Sequence, residues 1–267
     1  MNLALHKMDI ISLQNPKVKY IVKLREDKRQ RQRDGLFLVE GCDELTLALG
    51  SGLQPQTLLT APELASRSMD IPNTVELTTV SRAVFEKISY RDNPDGWLGI
   101  FPIPKTSLDD LKLSASPLVI VAESVEKPGN LGAILRTADA ARVDAVLVCD
   151  PRVDLWNPNV IRASRGAVFA VPTVEVESPN ALAWIRLRKM RVLAATPSAK
   201  TLYTDVNLSE PIAIAVGTED EGLTDFWMQN ADVKVKIPML GKVNSLNVSI
   251  AAALITYEAV RQRNREL

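Results

Sequence analysis

The sequence predicts an α/β protein whose larger part is built on a mainly parallel sheet. Continuous apolar runs of strand length, LVIVA at Leu118–Ala122, AVLVC at Ala145–Cys149 and IAIAV at Ile212–Val216, alternate with stretches of helical periodicity. Unbroken apolar runs suit strands buried on both faces, as in parallel sheets covered by helices. Shorter strands and helices alternate through the first hundred residues, so the layered organisation extends along the chain.

Taken in order, Lys17–Arg33 (KVKYIVKLREDKRQRQR) carries eight basic residues against two acidic ones, a local net of +6. Val18, Ile21, Val22 and Leu24 give it part of an apolar stripe, so one amphipathic helix with a basic outer face is expected. Such a face serves either as solvated surface or as a phosphate contact, because clustered Lys and Arg release counterions from a nucleic acid. Leu36–Val39 reads as a strand, Glu44–Leu49 after Gly41 as a helix, Gln56–Thr60 and Val75–Leu77 as strands, and Ser81–Ile88 as a helix. Between Phe101 and Pro117, three prolines and weak periodicity mark a junction. The expected division is 1–105, a linker at 106–116, and a second domain at 117–267. In that domain Leu131–Arg142, Asn159–Arg165, Ala181–Met190 and Ser245–Arg263 read as helices. Val192–Ala195 and Val233–Ile237 join the three apolar runs as strands.

Composition narrows the chemistry. The 267 residues include 32 Lys+Arg, 32 Asp+Glu, one His and two Cys, with 46% apolar residues. No stretch approaches the roughly 20 unbroken apolar residues of a membrane span. Lys7, Asp9 and Gln14 interrupt the amino terminus, so no secretory signal is expected and the cytoplasm is the default. Cys42 and Cys149 lie far apart and His6 sits in a tail, which excludes a Cys/His zinc cluster and a Ser-His-Asp triad; no metal is expected. The chemistry then falls to Arg, Asn, Ser, Glu or a cofactor.

Three glycine-bearing turns follow apolar strands. In KPGNLGAILRTADA, either Asn130 caps a helix that carries a surface Arg136 two turns in, or the strand end delivers both to the carboxyl edge of a sheet, where open α/β folds bind ligands. In VGTEDEGL, Gly217 permits close backbone approach, and Glu219, Asp220 and Glu221 repel polyphosphate while suiting a cationic or hydroxyl-bearing ligand. In IPMLGKVNSLNVSIAAA, Asn244, Ser245, Asn247 and Ser249 open an apolar helix, so they cap it or meet a ligand. Neither GxGxxG nor GxxxxGK[ST] occurs, which leaves little support for a dinucleotide enzyme.

Together NLGAILRTADA, VGTEDEGL and IPMLGKVNSLNVSIAAALITYE resemble, in order and separation, the three signature motifs of the SpoU/TrmH branch of the SPOUT RNA methyltransferases. NPNVIRASRGA at Asn157–Ala167 looks like the family's segment between motifs one and two. FLVEG at Phe37–Gly41 and DGWLGIF near residue 100 resemble the small ribosomal-protein-like α/β substrate-binding domain of its ribosomal-RNA members. The resemblance implies an S-adenosylmethionine-dependent ribose 2′-O-methyltransferase, a trefoil-knotted catalytic domain and a homodimer whose site draws on both subunits. Matched by motif, Gly217, Ile237 and Leu246 surround the donor, with Thr196 expected at the pocket wall, and Asn130, Arg136, Glu219, Ser245 and Asn247 form the catalytic set. Arg136 is expected to orient the 2′-oxygen and stabilise its developing charge, held by Asn130 and Asn247. Lys17, Lys19, Lys23, Arg25, Lys28, Arg29, Arg162 and Arg165 are the expected RNA contacts. The α/β domain of about 100 residues ahead of the motifs favours large-subunit (23S) ribosomal RNA; the alternatives are transfer RNA as substrate or a non-catalytic RNA-binding assembly factor.

Overall fold

The computed structural model describes residues 9–71, 75–218 and 220–263, so His6 and Glu219 lie outside the described residues. The chain forms two compact units. One runs to Pro104 and takes in Trp156–Phe169; the other holds Lys105–Leu155 and the chain from Ala170 onward.

The first unit opens with α1 (Pro16–Glu26) and α2 (Lys28–Asp34) where a single basic helix is expected. The break is at Asp27, whose backbone is extended (φ −107°, ψ 111°) and whose carboxylate accepts from Arg29 N, capping α2. Val18, Ile21 and Leu24 of α1 are buried against β1 (Leu36–Glu40) and α4 (Arg82–Ile88). With α3 (Cys42–Gly50), β2 (Thr57–Thr60), β3 (Leu77–Thr79) and β4 (Trp97–Pro102) these complete a mixed sheet of order β1-β4-β2-β3. The strand expected at Val75–Leu77 lies further on, where β-branched Thr78 and Thr79 pair with Leu59 and Thr60 of β2.

The second unit begins at Lys105 and takes in the whole of the expected linker. Leu108, Leu111 and Leu113 pack on its core, Ser107 and Asp110 cap a short 3₁₀ turn, and Trp184 Nε1 donates to Leu108 O at 2.9 Å. Apolar leucines at these positions make 106–116 part of the unit rather than a free connection. Then follow β5 (Leu118–Glu123), α5 (Pro128–Ala140) and β6 (Ala145–Cys149).

From Trp156 to Phe169 the chain joins the first unit, contrary to an unbroken domain over 117–267. Here α6 (Pro158–Ser164) packs on β1, and the rings of Trp156 and Phe169 lie 4.4 and 6.1 Å from that of Phe37. Packing the half-buried Trp156 and Phe169 against the buried Phe37 ring holds this segment on the first unit.

The rest of the second unit comprises β7 (Thr173–Val176), α7 (Ser178–Leu187), β8 (Arg191–Ala195), β9 (Thr201–Leu202), β10 (Ile212–Val216), α8 (Asp225–Asn230), β11 (Val233–Lys236) and α9 (Val248–Arg263). Its seven strands run in the order β7-β6-β5-β10-β8-β11-β9, and every pairing is parallel. The apolar runs become the buried centre, β5, β6 and β10. The chain leaves β5 toward β6 and β7, whereas β8, β11 and β9 lie beyond β10. This reversal between β5 and β10 opens a crevice at the carboxyl ends of the strands. Among the described residues no helix is long and apolar enough to cross a membrane.

Candidate functional site

A cavity of about 670 Å³ opens in the second unit at the carboxyl ends of β8, β10 and β11, and Thr196, Gly217, Ile237, Ser245 and Leu246 all line it. Each is delivered by a strand end or by the turn before α9. Thr196 follows β8, where its N–H donates to Val235 O at 2.9 Å, and its hydroxyl lies 3.0 Å from that of Ser198. Ile237 directly follows β11. Leu246 and Ile237 are half-buried and give the cavity apolar wall, with Val216 and Ile255 behind them.

Gly217 is glycine for a reason other than ligand approach alone. A Cβ there would lie 2.0 Å from Gly222 O and 2.4 Å from Leu223 N, because the loop folds back on itself. Thr218 N donates to Gly222 O at 2.9 Å, Gly222 N returns to Thr218 O at 3.2 Å, and Glu221 N donates to Thr218 Oγ1 at 3.0 Å. Gly222 closes this turn at φ +74°, a left-handed conformation that disfavours other residues. Glu123, at the end of β5, anchors the far side: its buried carboxylate accepts from Thr224 N at 2.9 Å and Thr224 Oγ1 at 2.6 Å. Sequence reasoning misses Glu123; the signal that could have found it is a carboxylate closing an otherwise apolar strand.

Two helix starts differ from expectation. Lys127, not Asn130, occupies the cap position of α5, since Pro128 begins the helix with its φ already set and Asn130 falls in the first turn. Asn130 Oδ1 instead accepts from Asn247 Nδ2 at 3.0 Å. The last helix begins at Val248, not Ser245. Asn247 caps it, its Oδ1 accepting from Ser249 N at 3.0 Å and Ser249 Oγ at 2.6 Å. The two asparagines thus lock the starts of α5 and α9 together, and Asn130 borders a small hollow shared with Thr218, Asp220 and Val248, next to the cavity. Arg136 is exposed on α5, lines neither space, and has no hydrogen bond or ion pair to a described residue. Asn130 and Asn247 hold each other rather than Arg136. Burial pushes the Cys149 thiol well above its ordinary range, which takes it out of nucleophilic chemistry.

In the first unit the basic residues divide. Arg31 is buried and donates to Leu24 O at 2.8 Å and Arg25 O at 2.9 Å; Arg25 donates to the carbonyls of Lys87 and Ser89; Lys17 Nζ donates to Thr78 Oγ1 at 3.2 Å. These cations hold the fold together. Lys19, Lys23, Lys28 and Arg29 are exposed. Arg162 and Arg165 are also exposed, and with Arg91 they border a hollow of about 350 Å³ whose other wall includes Asp43 and Asp92.

Comparison with known proteins places these features. The model of the SpoU rRNA Methylase family matches residues 117–257, and that of the MRM3-like substrate binding domain matches residues 15–99. A 23S rRNA uridine 2′-O-methyltransferase of Streptomyces viridochromogenes is 30% identical over 95% of this chain and 92% of its own. A crystallised RNA 2′-O ribose methyltransferase is 41% identical, with a TM-score of 0.83, covering 96% of this chain and 99% of the other. An AdoMet-bound rRNA methyltransferase from Sinorhizobium meliloti is 29% identical, with a TM-score of 0.85, covering 97% of this chain and 98% of the other.

Proposed function

The chain belongs to the SpoU rRNA methylase family, and we propose that it transfers a methyl group from S-adenosylmethionine to a ribose 2′-hydroxyl of 23S ribosomal RNA in the cytoplasm. The observation that carries this reading is the cavity at the carboxyl edge of the sheet, which gathers Thr196, Gly217, Ile237 and Leu246 from separate parts of the chain. Its volume, about 670 Å³, lies within the roughly 300–1,000 Å³ of small-molecule sites. Its residues fit the donor: apolar side chains for an adenine ring, a backbone loop at 217–222, and hydroxyls from Thr196 and Ser245. When bound, the donor supplies an activated methyl on sulfur and leaves as a neutral thioether.

Arg136 orients the 2′-oxygen and the neighbouring phosphate and stabilises negative charge developing on that oxygen. It is not the base, since a guanidinium has donors and no acceptor and only donates hydrogen bonds. Phosphate or water accepts the proton. Asn130 and Asn247 act as positioning residues through the bond that joins the two helix starts. We assign Glu219 to orienting Arg136 or its own loop, and Ser245 to hydrogen bonding near the donor.

The working form is a homodimer through the second unit. Ile250, Leu254 and Tyr257 recur along one face of α9 with 51%, 38% and 48% exposure, and Leu240 and Val243 before it are exposed too, an apolar patch that a second copy would cover. Arg136 stands exposed on α5, which packs against α9, so pairing there also encloses the arginine. The knotted chain path belongs to the same family reading. RNA backbone is held by Lys19, Lys23, Lys28 and Arg29 of the first two helices and by Arg162 and Arg165. The test is transfer of tritiated methyl from the donor to total RNA, followed by mapping of protected 2′-O-methyl positions in cells with and without the gene. Loss of one position in 23S RNA is the expected result; loss confined to transfer RNA, or no transfer despite donor binding, overturns the assignment.

A further inference from the structure

The charge of the donor cavity has one sign. Among the described residues that line it, the only charged ones are Asp220 and Glu221, and both are acidic. Neither carboxylate forms an ion pair or hydrogen bond with another described residue, and both side chains are exposed at the cavity edge. Their loop is fixed by the paired backbone bonds between Thr218 and Gly222 and by the bond from Glu221 N to Thr218 Oγ1. Lys127 borders the adjoining hollow with Asp220 and does not line the cavity itself.

We propose that Asp220 and Glu221 make this cavity discriminate by charge, strengthening the cationic sulfonium donor relative to its neutral thioether product and so favouring product exchange. The inference rests on the donor reading given above and deepens it. Donor and product share the same adenine, ribose and amino-acid groups, so apolar walls and backbone hydrogen bonds hold both alike. They differ by a methyl group and one positive charge, and carboxylates at the cavity edge respond to that charge directly. At the edge of a partly wet cavity, a carboxylate several ångströms from a unit charge is worth about three- to tenfold in affinity. Because both carboxylates are exposed, the preference weakens as salt screens them. The competing role for an acidic loop is to accept hydrogen bonds from ribose hydroxyls. That role would favour donor and product equally, which separates the two.

The experiment is isothermal calorimetry on the full chain with S-adenosylmethionine and S-adenosylhomocysteine, for wild type, Asp220→Asn, Glu221→Gln and the double variant, at low and high salt. The expected result is a fall of about tenfold or more in the donor-to-product affinity ratio of the double variant, carried by the donor, with product affinity unchanged. In the wild type the same ratio shrinks from low to high salt. Equal weakening of both ligands, or an unchanged ratio, overturns the proposal. Should a variant fail to fold by its thermal midpoint, the wild-type salt series decides, and a ratio that does not move with salt overturns it. A wild-type chain that binds neither ligand overturns the donor reading itself, an outcome distinct from equal binding of both.

Discussion

The two units fix their loops by opposite means. In the first, charge does it. The Glu40 carboxylate accepts from Ser89 Oγ at 2.5 Å and Tyr90 N at 2.7 Å, Arg91 lies 2.7 Å from Glu44 and donates to Glu40 O at 3.0 Å, and Asp95 takes the N–H of Cys42 at 2.7 Å. In the second, the loops around the cavity are shaped mainly by glycine, backbone pairs and asparagine caps, with the Glu123 carboxylate as a charged anchor and no cation on the lining among the described residues. The contrast teaches a division of labour. Fixed guanidinium groups suit a unit that meets a polyanion, whereas a cavity proposed to take in a cationic donor and release a neutral product has no cation on its lining among the described residues.

Breaking that division has graded effects. Replacing Arg136 with Ala should lower methyl transfer by about 10²–10³-fold, the scale of losing a donor to developing negative charge. Calorimetric donor affinity should stay near wild type, because Arg136 does not line the cavity; near-normal turnover would remove Arg136 from the site. Gly217→Ala comes next. Its Cβ must displace the Gly222 backbone, so the loop shifts at a cost of about 1–3 kcal/mol. Donor affinity should fall at least about tenfold, with a lower thermal midpoint as the check.

In the first unit, replacing Arg162 and Arg165 together should weaken RNA binding several-fold. The slope of log affinity against log salt should drop by about 0.7–0.9 for each phosphate that is no longer neutralised, with donor affinity intact. An unchanged slope returns these arginines to solvated surface. Asn247→Ala removes both a helix cap and the link to Asn130, and a stability loss of about 1 kcal/mol in denaturant titration is expected.

The smallest effect is also the sharpest contrast, because one glutamate in each unit responds to pH with opposite sign. Burial raises the Glu40 carboxyl above the ordinary glutamate value, against the opposing pull of its bonds from Ser89 and Tyr90 and of nearby Arg91. A raised folded pKa means the native state holds the proton more tightly. That contribution is present below the unfolded value and is lost as pH rises through the raised one. Glu258 behaves in reverse. Its bond from the Arg261 guanidinium, outweighing desolvation, lowers its carboxyl, so its contribution is present above the ordinary value and lost as pH falls through the lowered one. The midpoint of Glu40→Gln should therefore improve relative to wild type as pH rises across the glutamate range. The deficit of Glu258→Gln should be largest near neutrality and fade in acid.

Much of this is legible in the amino-acid string, and the gaps have physical causes. The apolar runs mark β5, β6 and β10 because five-residue runs rich in Val and Ile have strand length and are too short for a buried helix, although they show no period of their own. β7, β9 and α8 escape because TVEV, TL and DFWMQN are too short to display a period. The basic run reads as one helix because charge pattern does not register Asp27 as a cap, and equally does not tell that Arg25 and Arg31 face backbone carbonyls. In the site, the motifs locate the lining residues Gly217, Ile237, Ser245 and Leu246, and Thr196, expected at the pocket wall, lines it too. They do not reveal that Asn130 and Asn247 bond to each other, nor that backbone crowding at Gly222 demands glycine at 217. Those are long-range facts, set by where separate turns meet.

The excursion of Trp156–Phe169 orders the birth of the molecule. Phe37 lies in the first strand of its unit, yet two of its aromatic neighbours are encoded far downstream, beyond β5 and β6. A nascent chain that has emerged only to Pro104 carries the whole four-stranded sheet but not the rings that complete its packing. It must wait, with Phe37 incompletely covered, until the opening strands of the second unit have been synthesised. Contacts of such sequence separation slow folding and lengthen the exposure of apolar surface. The order of amino acids thus imposes a timetable: neither unit is finished by the ribosome before the other has begun.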